Sequence, residues 1–429
     1  MPMPDPRVVI VGTTADYIDA VRNSYPGRAL FVTATDERSA AKEPAPHPQE
    51  ELLCNLEDFE KVASFLNTHL LQWKLKAAGV ACFDCESLEL AAYIAGKLSL
   101  PFPSPTSVAN CRNKFLSKQI WQGNQIPCPR AEVIRGDVDI SETMARLHFP
   151  AIIKPLTGSG SELVFKCNTY GEVKTAVEII RTRLANHQNQ RMYRRFKHGK
   201  TIFNSRSELL METFIEGNEF SCDFLIDGNM LQTIRIAAKI PAIDQATGTT
   251  LAYVVPGAIP GVLAQEQLNR LLLRAARVLG LKRSLGMADF IMHRDKAYLL
   301  ELTPRPGGDC LPPLIRASSG LDMIGLTMDF AEGKPLRIPE KISWEKLVGM
   351  RIFAESAGIV GHIDASGLKQ DHSVRSYVLK AHSGYRVKYP PEDYDSRLLG
   401  YVIFKPRQEQ SIESHCREIR SKIKIEIEE

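Results

Sequence analysis

Short apolar runs alternate with stretches of helical periodicity along the first hundred residues of the chain. Residues 7–12 (RVVIVG) and 28–33 (RALFVT) are β-branched runs, and residues 15–25 between them have the spacing of a helix. An apolar run closed by Gly is typical of a buried parallel strand, and a strand–helix–strand unit closes by a right-handed crossover. Two further helices are predicted at residues 56–76 and 87–98, and a further strand is predicted at residues 79–83. The pattern therefore predicts an N-terminal α/β domain.

Helices and antiparallel strands are mixed in the rest of the chain. Helices are predicted at residues 111–127, 171–184, 265–279 and 409–422. Strands are predicted at residues 149–155, 208–215, 219–226, 230–239, 286–293 and 297–303. Asp227-Gly228, between two runs of alternating character, is a hairpin signal. The basic residues 191–200 are predicted as an irregular, solvated connection. The fold class is therefore α/β and α+β, in a multidomain protein.

The composition is that of a globular protein. Hydrophobic residues make up 44% of the 429-residue chain, charged residues make up 24%, and the formal net charge is +4. Such a balance does not favour a disordered chain or a polybasic arm for nucleic acid. No stretch approaches the ~20 apolar residues of a membrane span. The nine cysteines show no repeated spacing, which is typical of reduced thiols and predicts a cytoplasmic protein.

The first motif with candidate chemistry is IIKPLTGSGS at residues 152–161. Lys154 lies near the end of the predicted strand, and a loop of small residues follows. The backbone N–H groups of such a loop can converge on phosphate oxygens, and the lysine adds a positive charge. A turn with a surface lysine explains the motif equally well, and no Walker-type loop is present.

The second motif is LLMETFIEGNEFSCDFLI at residues 209–226. An extended edge at residues 211–215 offers backbone donors and acceptors to a nucleotide base, and Glu219 offers a carboxylate to the two ribose hydroxyls. On spacing alone, an ordinary acidic hairpin is the favoured alternative.

The third motif, at residues 286–309, is the most informative. Asp289 and Glu301 lie among apolar residues on two adjoining predicted strands. Carboxylates in such surroundings are costly unless they are paired or bound to a metal. The period of two places Thr303 on the same face as Glu301, so the three residues suit Mg²⁺ that is also held by polyphosphate.

The same motif continues with PRPGG. Arg305 supplies a planar cation, and Gly307 and Gly308 supply accessible backbone N–H groups. Such groups suit a carboxylate or phosphoryl oxygen. The alternative, two acids in a solvated hairpin followed by a turn, fits the apolar LLEL context poorly.

The order of these motifs resembles the ATP-grasp superfamily. A lysine helix, IIKP with GSGS, METFIEG with EFS, and ELTPRPGG follow one another over about residues 111–335. The stretch from PRPGGD to Asp322 is most similar to amino-acid ligases that form dipeptides or related amides. The resemblance implies a Rossmann-like α/β domain at residues 1–110, an ATP-grasp domain at 111–335 with a central lid at about 150–215, and a mixed α+β cap at 336–429.

The resemblance also implies a role for each motif residue. ATP would be bound by Lys114, Lys154, Gly158, Ser159, Gly160, Ser161, Glu212, Thr213, Phe214, Ile215, Glu219 and Lys239. Mg²⁺, with Mn²⁺ as the alternative ion, would be bound by Asp289, Glu301 and Thr303. The reacting carboxylate or its acyl phosphate would be bound at a catalytic centre of Arg305, Lys154, Gly307 and Gly308. Asp223 would face the amine substrate.

The activity implied by the resemblance is ATP-dependent formation of an amide or peptide bond through an acyl phosphate. The expected partners are a small carboxylate and an amine, with amino acids as the first choice, and a homodimer is compatible with the family. Thr303 departs from the usual family pattern, which has Asn there. Two alternatives stay open: another ATP-grasp enzyme of the purine-pathway or carboxylase-like kind, and a nucleotide-binding protein that kept the fold without catalysis. Retention of both metal acids, Arg305 and both lysines favours catalysis.

Overall fold

A parallel sheet flanked by helices forms the N-terminal region of the computed structural model, which describes residues 4–259, 265–336, 338–339 and 341–428. The strands are β1 (Asp5–Val11), β2 (Ala29–Ala34), β3 (Glu51–Cys54) and β4 (Leu75–Ala81). The helices are α1 (Ala15–Ser24), α2 (Thr35–Ala40), α3 (Phe59–Gln72) and α4 (Leu88–Lys97). The sheet order is β3-β2-β1-β4. Helix α3 ends at Gln72 rather than at residue 76, because Lys74 adopts a φ of 52° and starts the turn into β4.

Two helices then lead out of this region, where the sequence predicts a single helix beginning at residue 111. They are α5 (Pro105–Arg112) and α6 (Lys114–Gly123). Asn113 separates them because its backbone is extended and its Oδ1 accepts a hydrogen bond from Leu116 N–H at 2.9 Å. This is an N-cap. The cap makes Lys114 the first residue of α6.

A smaller antiparallel sheet with two helices follows, and we call residues 131–213 the lid. Its elements are β5 (Ala131–Ile134), α7 (Asp137–Leu147), β6 (Ala151–Pro155), β7 (Phe165–Cys167), α8 (Tyr170–Ala185), β8 (Arg195–His198), β9 (Thr201–Asn204) and β10 (Leu209–Thr213). The sheet order is β5-β10-β6-β7, and β8 and β9 form a separate hairpin. The basic stretch at 191–200 is therefore partly a strand, because β8 is paired with β9.

Eight antiparallel strands form the central sheet. The elements of its first part are β11 (Asn218–Asp227), β12 (Met230–Pro241), β13 (Thr250–Val255), α9 (Gln265–Val278), β14 (Arg283–His293), β15 (Lys296–Thr303), α10 (Leu311–Ser319) and α11 (Met323–Ala331). Asp227 pairs with Met230, and Gly228 has a φ of 57°, which forms the predicted hairpin. Trp121 of α6 is fully buried against α9, where its Nε1 donates to Ala275 O at 3.2 Å.

The C-terminal region extends the same sheet. Its elements are β16 (Leu347–Phe353), β17 (Gly358–Asp364), a 3₁₀ turn (Ser366–Gln370), β18 (Val374–Leu379), β19 (Arg386–Val387), β20 (Leu398–Phe404), α12 (Ile412–Ser421) and β21 (Lys424–Glu428). The central sheet runs β15-β14-β11-β12-β13-β16-β20-β18, and β19-β17-β21 is a separate sheet. Three C-terminal strands thus complete the sheet that the preceding region begins.

The N-terminal region docks on α11 by a close backbone contact. A Cβ on Gly79 of β4 would lie 2.4 Å from Ala331 O, so only glycine permits this approach. Arg28 adds ion pairs with Asp329 and Glu332 beside it. Over the described ranges, none of the helices combines the length and the hydropathy that a membrane crossing needs.

Candidate active site

A cleft of about 300 Å³ lies between the lid and the central sheet. A volume of this order is typical of small-molecule sites. The predicted residues that line the cleft are Lys114, Lys154, Gly158, Ser159, Gly160, Ser161, Glu212, Thr213, Phe214, Ile215, Glu219, Lys239, Asp289 and Glu301. The fold therefore brings together almost all the residues that the family resemblance assigns to ATP and metal. Thr303, Arg305, Gly307, Gly308 and Asp223 lie outside this lining.

The acidic residues of the cleft share one face of the central sheet. Asp289 of β14 is directly opposite Glu301 of β15 in the antiparallel register. Lys239 of β12 lies beside them, and its Nζ donates to Asp289 Oδ2 at 3.2 Å and also to Glu219. Residues 219, 221 and 223 of β11 alternate with core residues, so Glu219 faces the same side. One cation and three carboxylates therefore meet on the floor of the cleft.

Burial and neighbouring charges separate the two facing carboxylates in acidity. Burial raises the pKa of Asp289 to about 6, with Lys239 opposing and Glu301 reinforcing the shift. Burial also acts to raise the pKa of Glu301, but Lys114, Lys154 and Lys239 outweigh it and hold the pKa at about 2. The lysines thus favour the ionised form of Glu301, whereas burial favours the neutral form of Asp289.

The two carboxylates fit a divalent cation. Asp289 Oδ1 is buried and has no hydrogen-bond partner among the described residues, so it is a hard oxygen donor that a cation could bind. Mg²⁺ usually takes one or two protein carboxylates, and phosphate and water fill its other positions. The described part of the chain contains no group of three or more His, Cys, Asp or Glu side chains suited to a metal.

Two lysines neutralise Glu212 behind the cleft. Lys154 Nζ lies 2.5 Å from Glu212 Oε2, and Lys118 Nζ lies 3.3 Å from Oε1. Burial acts to raise the pKa of Glu212, but Lys118 and Lys154 outweigh it and lower the pKa. Lys118 also donates to Leu300 O. Glu212, which the family resemblance places beside adenine, thus has both oxygens engaged by lysines while it lines the cleft.

The Gly/Ser loop is tied to both sides of the cleft. Gly158 and Gly160 have φ values of 133° and 65°, which favour glycine. Lys114 Nζ donates to Gly158 O at 2.9 Å, and Ser161 Oγ donates to Gly248 O at 2.8 Å. Burial lowers the pKa of Lys114 to about 8, with Glu301 opposing the shift. The loop is therefore held over a lysine whose charge is easily lost.

The segment at residues 213–215 leaves the lid sheet at the mouth of the cleft. Thr213 Oγ1 accepts a hydrogen bond from Arg130 N–H at 3.1 Å, and Phe214 N–H donates to Pro150 O at 3.1 Å. The Lys166 ammonium lies 3.9 Å from the centroid of the Phe214 ring. These contacts fix the extended edge that the sequence predicts for a nucleotide base.

Arg305 lies beyond the acidic pair and reaches the N-terminal region. Its Nε and Nη2 donate to Cys85 Sγ at 3.2 and 3.1 Å. A Cβ built on Gly308 would lie 3.7 Å from Arg305 Nη1, so the two residues are neighbours. Thr303 is opposite Met287, two residues along the strand from the acidic pair, and is buried. Thr303 and Glu301 are therefore roughly 7 Å apart along the strand.

Asp223 does not face the cleft. Its side chain is 1% exposed, and both carboxylate oxygens are engaged. Oδ2 accepts from Arg235 Nε at 2.8 Å, and Oδ1 accepts from Gly307 N–H at 2.8 Å. The carboxylate thus anchors the PRPGG segment in this structure, whereas the resemblance assigns it to an amine substrate.

Three residues of the site were not predicted: Lys118, Arg235 and Cys85. Lys118 lies four residues after Lys114 on α6, which places both on one helix face. Arg235 has the same strand parity as Lys239, so the period of two places them on one face of β12. Cys85 belongs to the C-x-x-C at residues 82–85, which follows β4 directly. All nine cysteines are free thiols.

Comparison with known proteins finds a family match in the middle of the chain. Residues 147–313 match the family described as an ATP-grasp domain. The uncharacterised protein y4rH of Sinorhizobium fredii is 25% identical over 72% of this chain and 60% of its own length, less than two thirds of that relative. The D-alanine–D-alanine ligase of Aromatoleum aromaticum is 28% identical over 55% of this chain and 71% of its length.

Solved structures share the fold over nearly the whole chain. The L-amino acid ligase from Bacillus licheniformis superposes with a TM-score of 0.78 at 19% identity, covering 99% of this chain and 100% of that one. The biotin carboxylase domain of the Hydrogenobacter thermophilus 2-oxoglutarate carboxylase, solved with MgADP, ADP and bicarbonate, gives 0.67 at 18% identity, covering 100% and 92%. Residues 147–313 therefore match an ATP-grasp domain, and the chain as a whole shares the fold of these solved structures.

Proposed function

We propose that the protein is an ATP-dependent carboxylate–amine ligase that forms an amide or peptide bond and releases ADP and phosphate. The observation that carries the proposal is the pairing of Asp289 with Glu301 across β14 and β15, in a cleft that also contains Lys114, Lys154 and Lys239. Two hard oxygen ligands surrounded by cations suit a metal-bound polyphosphate. A nucleotide-binding scaffold without catalysis would not need this combination.

The first half-reaction converts an unreactive acyl donor into a reactive one. A free carboxylate would have to expel oxide, whereas transfer of the γ-phosphoryl group from ATP to its oxygen forms an acyl phosphate and leaves ADP. Lys114 and Lys154 would neutralise phosphate oxygens and align the γ-phosphorus with the carboxylate oxygen. Mg²⁺, held by Asp289 and Glu301, would supply Lewis-acid stabilisation of the transferred group.

The first half-reaction also needs the carboxylate to be held beside the phosphates. Arg305 is placed for this because its guanidinium contacts Cys85 Sγ, and sulfur is a weak acceptor. A substrate carboxylate offers two stronger acceptors in the planar geometry that arginine prefers. The amine then attacks the acyl carbon, the C–N bond forms, the bond to the phosphate oxygen breaks, and the amine proton is lost to solvent. The lid excludes water that would hydrolyse the acyl phosphate.

The substrates that we propose are amino acids. The D-alanine–D-alanine ligase and the L-amino acid ligase are both named for amino-acid substrates. For the nucleotide and the metal we propose ATP and Mg²⁺, since the carboxylase neighbour was solved with MgADP. We also propose that the enzyme works in the cytoplasm, since its nine cysteines are unpaired.

The test measures phosphate release from ATP in the presence of Mg²⁺ and the twenty amino acids, added singly and in pairs. ADP and the condensed product are quantified in the same reactions. Release that requires a particular pair, with one product bond per ADP, supports the ligase. Release driven by bicarbonate instead would favour the carboxylase-like class. ATP binding without release against any pair would favour a nucleotide-binding protein and overturn the proposal.

Glu301→Gln gives a sharper prediction for the same centre. Loss of one metal carboxylate should reduce ADP formation at least ~100-fold, while circular dichroism and the urea midpoint stay close to those of the native protein. Glu266→Gln on the exposed face of α9 is the matched control and should leave the rate unchanged. Native turnover by the Glu301 variant would remove this pair from the mechanism.

A further inference from the structure

A buried ion pair lies beneath the PRPGG segment, just beyond the acidic pair of the cleft. Asp223 of β11 and Arg235 of β12 face each other in register, and their side chains are 1% and 0% exposed. Burial of two charges costs desolvation energy that their attraction only sometimes recovers, so such a pair is weak evidence for stability. Its position at the edge of the candidate active site therefore suggests a role in the geometry of that site.

The other contacts of this pair go to two backbone segments. Asp223 Oδ1 accepts a hydrogen bond from Gly307 N–H, and Arg235 Nη1 donates to Ser221 O, both at 2.8 Å. Ser221 is directly opposite Asp289 in the sheet. The pair thus connects the Gly307 peptide with the strand position that faces the first metal carboxylate.

Gly307 fits tightly over the guanidinium. A Cβ at this position would lie 2.6 Å from Arg235 Nη2 and 2.8 Å from Leu311 Cδ1. Real Cβ atoms do not approach so closely, so any other residue here would force the ends of these two buried side chains to move. Gly308 is the next residue and adjoins Arg305. The position of Gly307 on Arg235 consequently fixes where the Gly308 N–H lies relative to the Arg305 guanidinium.

We propose that Asp223 and Arg235 are positioning residues that hold the Gly307–Gly308 segment at a fixed distance from the Asp289–Glu301 pair. In this arrangement the Gly308 N–H and Arg305 can act together on the acyl group while the metal carboxylates hold the phosphates. The inference rests on the proposed ligase function. It adds that this ion pair sets the distance between the place where the acyl group binds and the place where the phosphates bind. The hydrogen bonds of the pair go to Gly307 and Ser221, so we expect its loss to affect turnover and not nucleotide affinity.

The experiment compares two double variants of the full-length protein. D223L/R235M replaces the charges by apolar side chains of similar volume, which buried pairs often tolerate without loss of stability. D223N/R235Q also removes the charges but keeps an oxygen acceptor for Gly307 N–H. R38M/E51L is the matched control, because Arg38 and Glu51 form another ion pair, in the N-terminal region, with side chains that are only 10% and 4% exposed.

Three quantities are measured on each folded variant: amide hydrogen exchange, phosphate release and the dissociation constant for MgATP. In D223L/R235M, hydrogen exchange at the Gly307 and Gly308 amides should accelerate at least ~10-fold, and phosphate release with the best amino-acid pair should fall ~100-fold. The dissociation constant for MgATP should stay within about threefold. In D223N/R235Q, the amide exchange rate and the rate of phosphate release should both return most of the way to the native values. R38M/E51L should change neither the exchange of these amides nor the rate.

Unchanged exchange at Gly307 and Gly308 in D223L/R235M would overturn the inference. So would faster exchange combined with native turnover, because the segment would then move without consequence for the reaction. A native protein that releases no phosphate with any amino-acid pair would instead count against the proposed function, and the exchange result would still decide whether the ion pair holds the segment.

Discussion

Among single residues, Lys118 has the strongest effect on the charge balance behind the cleft. Its fully buried ammonium contacts Glu212 and Leu300 O, and burial lowers its pKa although Glu212 opposes the shift. Lys118→Met would leave the Leu300 carbonyl without this donor and Glu212 with Lys154 alone. Because an unsatisfied buried polar group costs about 1–3 kcal/mol, we expect the free energy of unfolding to fall by about 2 kcal/mol in urea denaturation.

The partner variant separates lost charge from lost packing. Adding Glu212→Gln to Lys118→Met removes the carboxylate that the lysine neutralises, so part of the stability should return. If Lys118→Met were as stable as the native protein, the ammonium would have no role in holding Glu212.

The pH dependence of ATP binding follows from Lys114. Burial lowers its pKa to about 8 in the free protein, with Glu301 opposing the shift. Above that pH the lysine is neutral, and binding a polyphosphate must first restore the proton. The affinity for ATP should therefore fall as pH rises through about 8, by at most ~10-fold per pH unit. Titration calorimetry across this range measures the effect, and Lys114→Arg, which stays charged, should flatten the profile. An equally steep profile for the arginine variant would assign the effect elsewhere.

Side-chain pairing explains which site residues the sequence could and could not predict. The residues of the cleft lie in short motifs whose order is distinctive, and the fold brings almost all of them together. Lys118 and Arg235 could not be identified as parts of the site. Helix or strand periodicity indicates the face on which a residue lies, but it does not show what packs against that face. The family resemblance assigns Asp223 to an amine substrate, and its pairing with Arg235 could not be predicted because it depends on the register of β11 with β12.

At the level of elements, the N-cap of α6 positions the first lysine of the site. Asn113→Ala removes the acceptor for Leu116 N–H and should cost about 1 kcal/mol of unfolding free energy, while Asn113→Asp should keep most of it. The same loss should weaken ATP binding, because Lys114 follows the cap directly. Ser411→Ala is the matched control, since Ser411 caps α12 by accepting from Ser414 N–H at 3.1 Å. It should lower stability without changing ATP affinity. Equal ATP affinity in both alanine variants would contradict the coupling.

Most helices and strands could be predicted from periodicity, with differences at their ends. The single helix predicted from residue 111 is interrupted at Asn113, because the Asn113 side chain accepts a capping hydrogen bond from Leu116 N–H and so competes with helix continuation. The strand β21 was missed even though Ile425 and Ile427 alternate with charged residues, which is a strand signal. The β8–β9 hairpin was missed because basic residues dominate its composition.

At the scale of the whole molecule, one sheet joins regions that the sequence separates at residue 336. Val255 of β13 pairs with Leu347 of β16, and the sheet continues through β20 to β18. A chain ending at residue 335 would leave β13 as an unpaired edge and expose the apolar residues that pack on it. We expect this truncation to give aggregated protein, as judged by soluble yield and size-exclusion chromatography beside the full chain. A monodisperse product with cooperative unfolding would show that residues 1–335 fold without the last strands.

The close contact between Gly79 and Ala331 limits how the molecule can move. The backbones of β4 and α11 meet there without a side chain between them, so the two elements have little freedom to slide. The Gly/Ser loop of the lid, by contrast, is held by Lys114 and Ser161 through single hydrogen bonds that water can replace. We therefore expect the contact between β4 and α11 to keep its geometry when the Gly/Ser loop moves relative to the central sheet.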